Sequence, residues 1–162
     1  MSAVALASVP AELRELKQWV VWRMPDKEPR RATDPKRLAK SNDPATWSTF
    51  EQALAACEKG HADGVGFVFA ASGPHIGIDL DDCLDAETGE LHPVAAKIVA
   101  RFATYTEVSP SGRGLHLILR GKMPAGAGRV KHFHEQKIEI YPDGRYFTMT
   151  GRVLDDVAEV RR

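Results

Sequence analysis

Three short segments of this chain alternate apolar residues with one chemically active polar residue: Ile78-Asp79-Leu80-Asp81, Leu115-His116-Leu117-Ile118 and Ile138-Glu139-Ile140-Tyr141. A period of two is the pattern of a strand with one buried face. The segments therefore demand a sheet whose apolar face meets a core, while Asp79, Asp81, His116 and Glu139 project from the opposite face. Two same-face residues of one strand lie roughly 6–7 Å apart at Cα. From there Asp79 and Asp81 could converge on cations held ~3.5–4 Å apart.

The remaining segments fill in an α+β order. Pro10 precedes a helix over residues 11–17, and Trp19-Val20-Val21-Trp22 reads as a strand. Residues 24–42 are charged, Pro-containing and irregular, and read as a loop with room for a short strand. Asp43-Pro44 opens a helix to about residue 58, with Phe50, Leu54 and Ala55 on its apolar side and Gly60 as its stop. Residues 64–70 form a buried strand that pairs, through Ser72-Gly73-Pro74, with the Asp79 strand as a hairpin. His92-Pro93 opens a helix to about residue 102, with Val94, Ile98 and Val99 as its buried stripe. Strands follow over 104–108 and 115–120, then a Gly/Pro/Ala-rich loop over 121–128. Strands 138–141 and 146–150 pair around Pro142-Asp143-Gly144-Arg145. The expectation is one domain over 1–162, with a core at about 8–151 and a tail at 152–162. Its architecture is a mainly antiparallel sheet with helices on one face.

Composition excludes several classes. At 162 residues, 43% hydrophobic and 27% charged, the chain has an ordinary globular make-up. No apolar run reaches the ~20 residues of a membrane span, so no membrane partner is expected. Cys57 and Cys83 are too few for a disulfide framework or a four-cysteine zinc site, and a cytoplasmic location is the expectation. The net charge of zero conceals segregation. Residues 23–40 hold seven bases, among them Arg30, Arg31, Lys36 and Arg37, against three acids, and residues 79–90 hold six acids and no base. A basic stretch beside an acidic pocket suits a phosphate polymer and a divalent metal.

Ser109-Pro110-Ser111-Gly112-Arg113-Gly114 leads directly into the His116 strand. Gly112 and Gly114 allow close backbone approach to a ligand, Ser111 offers a donor, and Arg113 a planar charged fork, so Ser111–Gly114 and His116 are read as a triphosphate-binding group. Arg145 and Tyr146 offer a second fork and a ring for stacking or sugar gating. Asp143 competes with Glu139 as the third carboxylate.

Apolar-Asp-apolar-Asp at 78–81, small-x-His at Gly114-Leu115-His116 and apolar-acid at Ile138-Glu139 resemble, in order and spacing, the three motifs of the archaeo-eukaryotic primase superfamily. The resemblance is to the primase-polymerase (prim-pol) domains of phages and plasmids. It extends over about residues 8–151, including Trp19 to Trp22, Asp43 to Trp47 and Gly144 to Gly151. It implies an RRM-like catalytic core and template-directed nucleotidyl transfer. Asp79, Asp81 and Glu139 would hold two Mg²⁺ or Mn²⁺ ions, with His116, Ser111 and Arg113 on the triphosphate. It also implies NTP or dNTP substrates, a single-stranded DNA template, a primer-template duplex and a helicase or helical accessory region as partner. Arg30, Arg31, Lys36, Arg37, Arg129 and Lys131 would follow the DNA backbone. Glu139 stands where Asp is common in the family.

Three other classes compete. His132-Phe133-His134 matches the paired-histidine metal site of Rep/relaxase-type single-strand endonucleases, with Tyr141 or Tyr146 as nucleophile, although the pair reads as part of a polar loop. A non-catalytic nucleotide- or DNA-binding module and a metal-dependent nuclease built on the same acids are the others.

Overall fold

The computed structural model describes residues 3–124, 127–154 and 160. In chain order its elements are α1 (Ala3–Leu6), α2 (Ala11–Arg14), β1 (Trp19–Trp22), β2 (Arg30–Arg31), β3 (Asp34–Leu38), α3 (Phe50–Glu58), β4 (Gly64–Val68), β5 (His75–Leu80), α4 (Pro93–Phe102), β6 (Tyr105–Val108), β7 (Leu115–Arg120), β8 (Val130–Phe133), β9 (Gln136–Tyr141) and β10 (Tyr146–Met149). The strands form two antiparallel sheets, ordered β10-β4-β1-β2-β3 and β6-β7-β5-β9-β8. The fold is α+β, as the element order requires.

The alternation read from the sequence sets the layers of the second sheet. Ile76, Ile78 and Leu80 of β5 and Leu115, Leu117 and Leu119 of β7 point to one face, where Ala95 and Val99 of α4 cover them. Its other face turns Tyr105, Ile118 and Tyr141 into a core shared with the first sheet and α3, built around Trp19, Phe50, Phe67, Phe69, Phe147 and Met149. Edge-on aromatic contacts tie this core together, Trp19 to Phe50 and Phe69 to Phe147 both at 4.9 Å. Gly77 is the strand position that admits them. A Cβ there would lie 2.5 Å from ring carbons of both Phe69 and Phe147. Glu12 of α2 anchors the N-terminal segment to the second sheet, accepting from Arg120 Nε and meeting His75 Nε2, each at 2.9 Å.

Several local expectations are corrected. Strands β4 and β5 do not form a hairpin: each has stronger partners, β4 between β1 and β10, β5 between β7 and β9. Strands β9 and β10 likewise diverge at the Pro142–Arg145 turn and enter different sheets, so the Asp-Gly dipeptide makes a crossing turn. The loop expected at 24–42 contains β2 and β3. The helix expected at 11–17 ends at Arg14 because only Leu13 of its residues is buried.

Asp43 caps a short 3₁₀ turn over Pro44–Thr46, and Trp47 to Thr49 are extended. The long helix starts afresh at Thr49, whose hydroxyl accepts from Gln52 N at 3.2 Å while Gln52 Oε1 accepts from Thr49 N at 3.0 Å. Its buried face is the expected Phe50 with Ala53 and Ala56, while Leu54 packs half-buried against the same core and Ala55 is half-buried. The His132 region, expected to be a loop, is the edge strand β8 and its turn. Of the 121–128 loop, Ala125 and Gly126 lie outside the described residues, as do 155–159, 161 and 162 of the tail. No helix among the described residues is long and apolar enough to cross a membrane.

Candidate active site

The central strand β5 carries the site because its two neighbours pair with it in exact lateral register of function. Asp79 lies opposite His116 on one side and opposite Glu139 on the other, and His116 in turn lies opposite Glu107. Cross-strand neighbours stand ~4.5–5.5 Å apart at Cβ. Four ionisable groups, Glu107, His116, Asp79 and Glu139, thus form one row across four strands. Asp81, just past the end of β5, joins the row from the open end. Asp79, Asp81 and Glu139 each present an oxygen, and these oxygens all lie within 4.8 Å of one another.

This is the one group of three or more His, Cys, Asp or Glu side chains among the described residues close enough to share a cation. Its all-oxygen donor set suits a hard divalent ion such as Mg²⁺ or Mn²⁺. Asp143, the competing third carboxylate, is instead paired with Arg129 at 3.3 Å.

Two cations already lean on this cluster. Lys137 Nζ lies 2.6 Å from Glu139 Oε1 and 3.9 Å from Asp81 Oδ2. Arg145 Nη2 lies 3.5 Å from Glu139 Oε2 and donates to the Tyr141 hydroxyl at 2.9 Å, its guanidinium over the Tyr141 ring. The Tyr141 hydroxyl itself donates to Glu139 Oε2. Burial works to raise the Glu139 carboxyl, but Lys137, Tyr141 and Arg145 outweigh it and hold it below the usual value. Asp81 goes the other way: burial, then the neighbouring Asp79 and Glu139 charges, push it up.

His116 is held on all sides. Its ring stacks on Phe147 with centroids 4.5 Å apart, Nδ1 faces the Thr148 carbonyl at 3.1 Å, and Nε2 faces Asp79 Oδ1 at 3.5 Å. Burial disfavours its charge, yet Asp79 and Glu107 prevail and hold the imidazole above its ordinary value. Behind it, Glu107 is fully buried, accepting from the Tyr105 hydroxyl at 2.7 Å, Thr150 N at 2.8 Å and Gly151 N at 2.9 Å. These bonds fasten the end of β10 to β6, which sets the Thr148 carbonyl and the Phe147 ring against His116. A cleft of about 240 Å³ opens here, lined by Asp79, His116, Arg145, Tyr146, Phe147 and Thr148.

The Ser109–Gly114 loop ends at the same edge of the sheet. Gly112 takes φ +77°, a conformation that favours glycine, while a Cβ at Gly114 would meet the Leu80 carbonyl at 3.0 Å. Gly114 is therefore needed for packing against β5. The Ser111 hydroxyl accepts from Arg113 N at 3.2 Å, and the exposed Arg113 guanidinium reaches Asp82 at 3.7 Å. Tyr146 lines the cleft, but its ring sits over Gly66 and its hydroxyl donates to the Lys27 carbonyl. Arg30 and Arg31 lie on β2, Lys36 and Arg37 on β3, in the first sheet. Ser41 Oγ donates to the Gly144 carbonyl at 3.0 Å, bringing this basic segment to the turn beside Arg145. Arg129 and Lys131 lie at β8, on the far side of β9 from Asp79.

His132 and His134 join no shared-cation group, and the Tyr141 hydroxyl is engaged by Glu139. The sequence reading missed Glu107, Lys137 and Phe147. Glu107 had a signal, since it alternates with Thr106 and Val108 as His116 does with its neighbours.

No family model matches the chain. Over 161 residues, 96% of the chain, it is 34% identical to a DNA primase-polymerase of Nitratiruptor phage NrS-1. Nearly the whole chain is thus similar to a phage primase-polymerase. The prim-pol match takes in 22% of the relative's length. It extends over almost the whole chain, and so over the acidic cluster, His116 and the Ser111–Gly114 loop together.

Proposed function

We propose that this chain is a prim-pol domain of the phage type and catalyses template-directed nucleotidyl transfer, as a DNA primase and polymerase, with Asp79, Asp81 and Glu139 holding two Mg²⁺ or Mn²⁺ ions. The observation that carries the reading is the convergence of these three carboxylates beside His116, in a chain 34% identical to a phage primase-polymerase. When bound, the ions would supply Lewis acidity that activates the primer 3′-hydroxyl and neutralises the departing pyrophosphate. The 3′ oxygen forms its bond to the α-phosphorus as the bond to the β-phosphate oxygen breaks.

The chain's own residues do the positioning. His116, fixed by Thr148 and Phe147, presents Nε2 at the carboxylate row as a donor to a phosphate oxygen. Arg113 and Ser111 lie on the exposed loop at the same sheet end, where the triphosphate tail would extend. Arg145, stacked on Tyr141, offers a second fork from the opposite side of the cleft. Such catalysis is largely orientation plus charge complementarity, and His116 and Arg145 are each held by a named partner. Arg30, Arg31, Lys36, Arg37, Arg129 and Lys131 would follow template and primer phosphates, with a helicase or helical accessory region as partner.

The test is primer extension with labelled dNTPs or NTPs and Mg²⁺ or Mn²⁺, against an Asp79→Ala/Asp81→Ala control. Extension by the wild type and none by the control is expected. Extension by both would overturn the assignment of the acids.

A further inference from the structure

Strand β8 and the turn that joins it to β9 take no part in the reading above beyond Arg129 and Lys131, yet they stand beside the site. In the second sheet the β6–β7 loop with Arg113, the end of β5 with Asp81 and the β8–β9 turn all lie at one end, because these strands are antiparallel neighbours. The carboxylates are therefore flanked by the Ser111–Gly114 loop on one side and by the hairpin on the other. Gln136, just after the hairpin's turn, donates from Nε2 to the Asp81 carbonyl at 2.9 Å, so the hairpin's tip is tied to the end of β5.

The hairpin presents an unusual surface. All four residues of β8 are exposed, and two are apolar, Val130 at 49% and Phe133 at 56% exposure. Phe133 is the most exposed aromatic residue among those described. A tight turn holds it there: His134 and Glu135 take φ +45° and +68°, and the Phe133 ring meets the His134 ring edge-on at 4.4 Å. Lys131 shares its strand face, His134 meets its ring and His132 lies on the reverse face, against a single acid, Glu135. An ordered aromatic face among basic and donor side chains matches an unpaired base and its phosphate, since stacking uses the π-face and cations follow the backbone. A paired base offers its face only at a duplex end.

We propose that Phe133 is a stacking platform for the single-stranded template and that the β8–β9 hairpin is the surface that grips it. The inference rests on the polymerase reading of the site and names its template contact. Val130 lies opposite Glu139, and Phe133 is three residues further along a strand rising about 3.3 Å per residue. The backbone of Phe133 thus lies about 10 Å past the carboxylate row, about three nucleotides at about 3.4 Å per stacked base, while its side chain, opposite Gln136, projects from the other face, so the template reaches it round the end of the sheet. The nucleotide enters from the Arg113 side and the template passes on the hairpin side.

The experiment is fluorescence anisotropy with the whole chain, no metal, and a short labelled oligonucleotide presented single-stranded or as a blunt duplex. Phe133→Ala is expected to weaken single-strand binding roughly five- to tenfold, with the salt slope unchanged and duplex binding little altered. Phe133→Trp should restore it, which separates stacking from a folding defect. Lys131→Ala should reduce the salt slope by about one. Wild-type affinity in Phe133→Ala would overturn the proposal, as would an equal loss on the duplex. A change in sedimentation without a change in DNA affinity would also overturn it, in favour of a protein interface. If wild type binds the strand by Phe133 but extends no primer, the polymerase reading fails and the platform stands. If it extends primers with Phe133→Ala binding unimpaired, the platform fails and the polymerase reading stands.

Discussion

Lys137 and Glu139 stand two residues apart on one face of β9, with Lys137 Nζ 2.6 Å from Glu139 Oε1. A side-chain cation thus sits among the carboxylates proposed to bind metal, and a divalent ion must displace it. Removing that cation should favour the metal. Lys137→Met is expected to bind Mn²⁺ roughly three- to tenfold more tightly than wild type, the scale of one unit charge a few ångströms away in high dielectric. Isothermal titration with MnCl₂ measures it directly, and Asp79→Ala should show no binding. Equal affinity in Lys137→Met would mean the ammonium and the metal occupy separate positions.

The third carboxylate is separable by mutation. Glu139→Ala removes an oxygen from the cluster and should abolish extension, whereas Asp143→Ala breaks only its exposed pair with Arg129. Exposed pairs contribute about 0–1 kcal/mol, so Asp143→Ala should keep near-normal stability and activity. The reverse ranking in a primer-extension assay would move the ligand to the turn.

Arg113 is exposed and paired only at 3.7 Å with an exposed Asp82. Arg113→Ala should therefore leave the melting temperature unchanged while weakening binding of a non-hydrolysable triphosphate. Calorimetric titration showing unaltered affinity would return the Ser111–Gly114 loop to a purely structural role.

Glu107 should leave a mark on stability against pH. Its burial raises the carboxyl above the usual value, with His116, Tyr105 and the Thr150 and Gly151 amides only partly offsetting that. A carboxyl that holds its proton more tightly folded than unfolded makes stability fall as pH rises from the ordinary carboxylate value to the raised one. Beyond that the loss is constant. Glu107→Gln should lack this segment of the slope, at an overall cost of about 1–3 kcal/mol for a backbone N–H left without its acceptor. Any fall that remains at higher pH belongs to His116, whose raised value adds stability below its unfolded pKa and loses it as pH climbs through the folded one. Urea titrations of the metal-free protein across this range give both slopes, and an unchanged profile in Glu107→Gln would contradict the account.

Gly77→Ala tests the junction of the two sheets. Its Cβ would meet Phe69 and Phe147 at 2.5 Å, and Phe147 is the ring on which His116 stacks. Overpacking of this kind costs about 1–3 kcal/mol. Thermal melts should show that loss, and extension should fall with it because the His116 platform moves.

The carboxylates and His116 were legible in the sequence because strand alternation is a local property: Ile78 and Leu80 on one side of Asp79 dictate where its side chain points, whatever the strand's neighbours. The α4 boundary was legible for the same reason, since His92-Pro93 sets it by local backbone chemistry. Strand partners were not. The Asp143-Gly144 turn and the Ser72-Gly73-Pro74 link both read as hairpins, yet each passes the chain from one sheet to the other. Pairing is decided by which apolar faces can be buried together over the whole chain. Glu107, Lys137 and Phe147 belong to that second kind of information. Sequence alone determined on which face of their strands Asp79, His116 and Glu139 lie. Only the tertiary structure decided that Asp79, opposite His116 on one side and Glu139 on the other, would be its centre, because lateral register exists only once the strands have met.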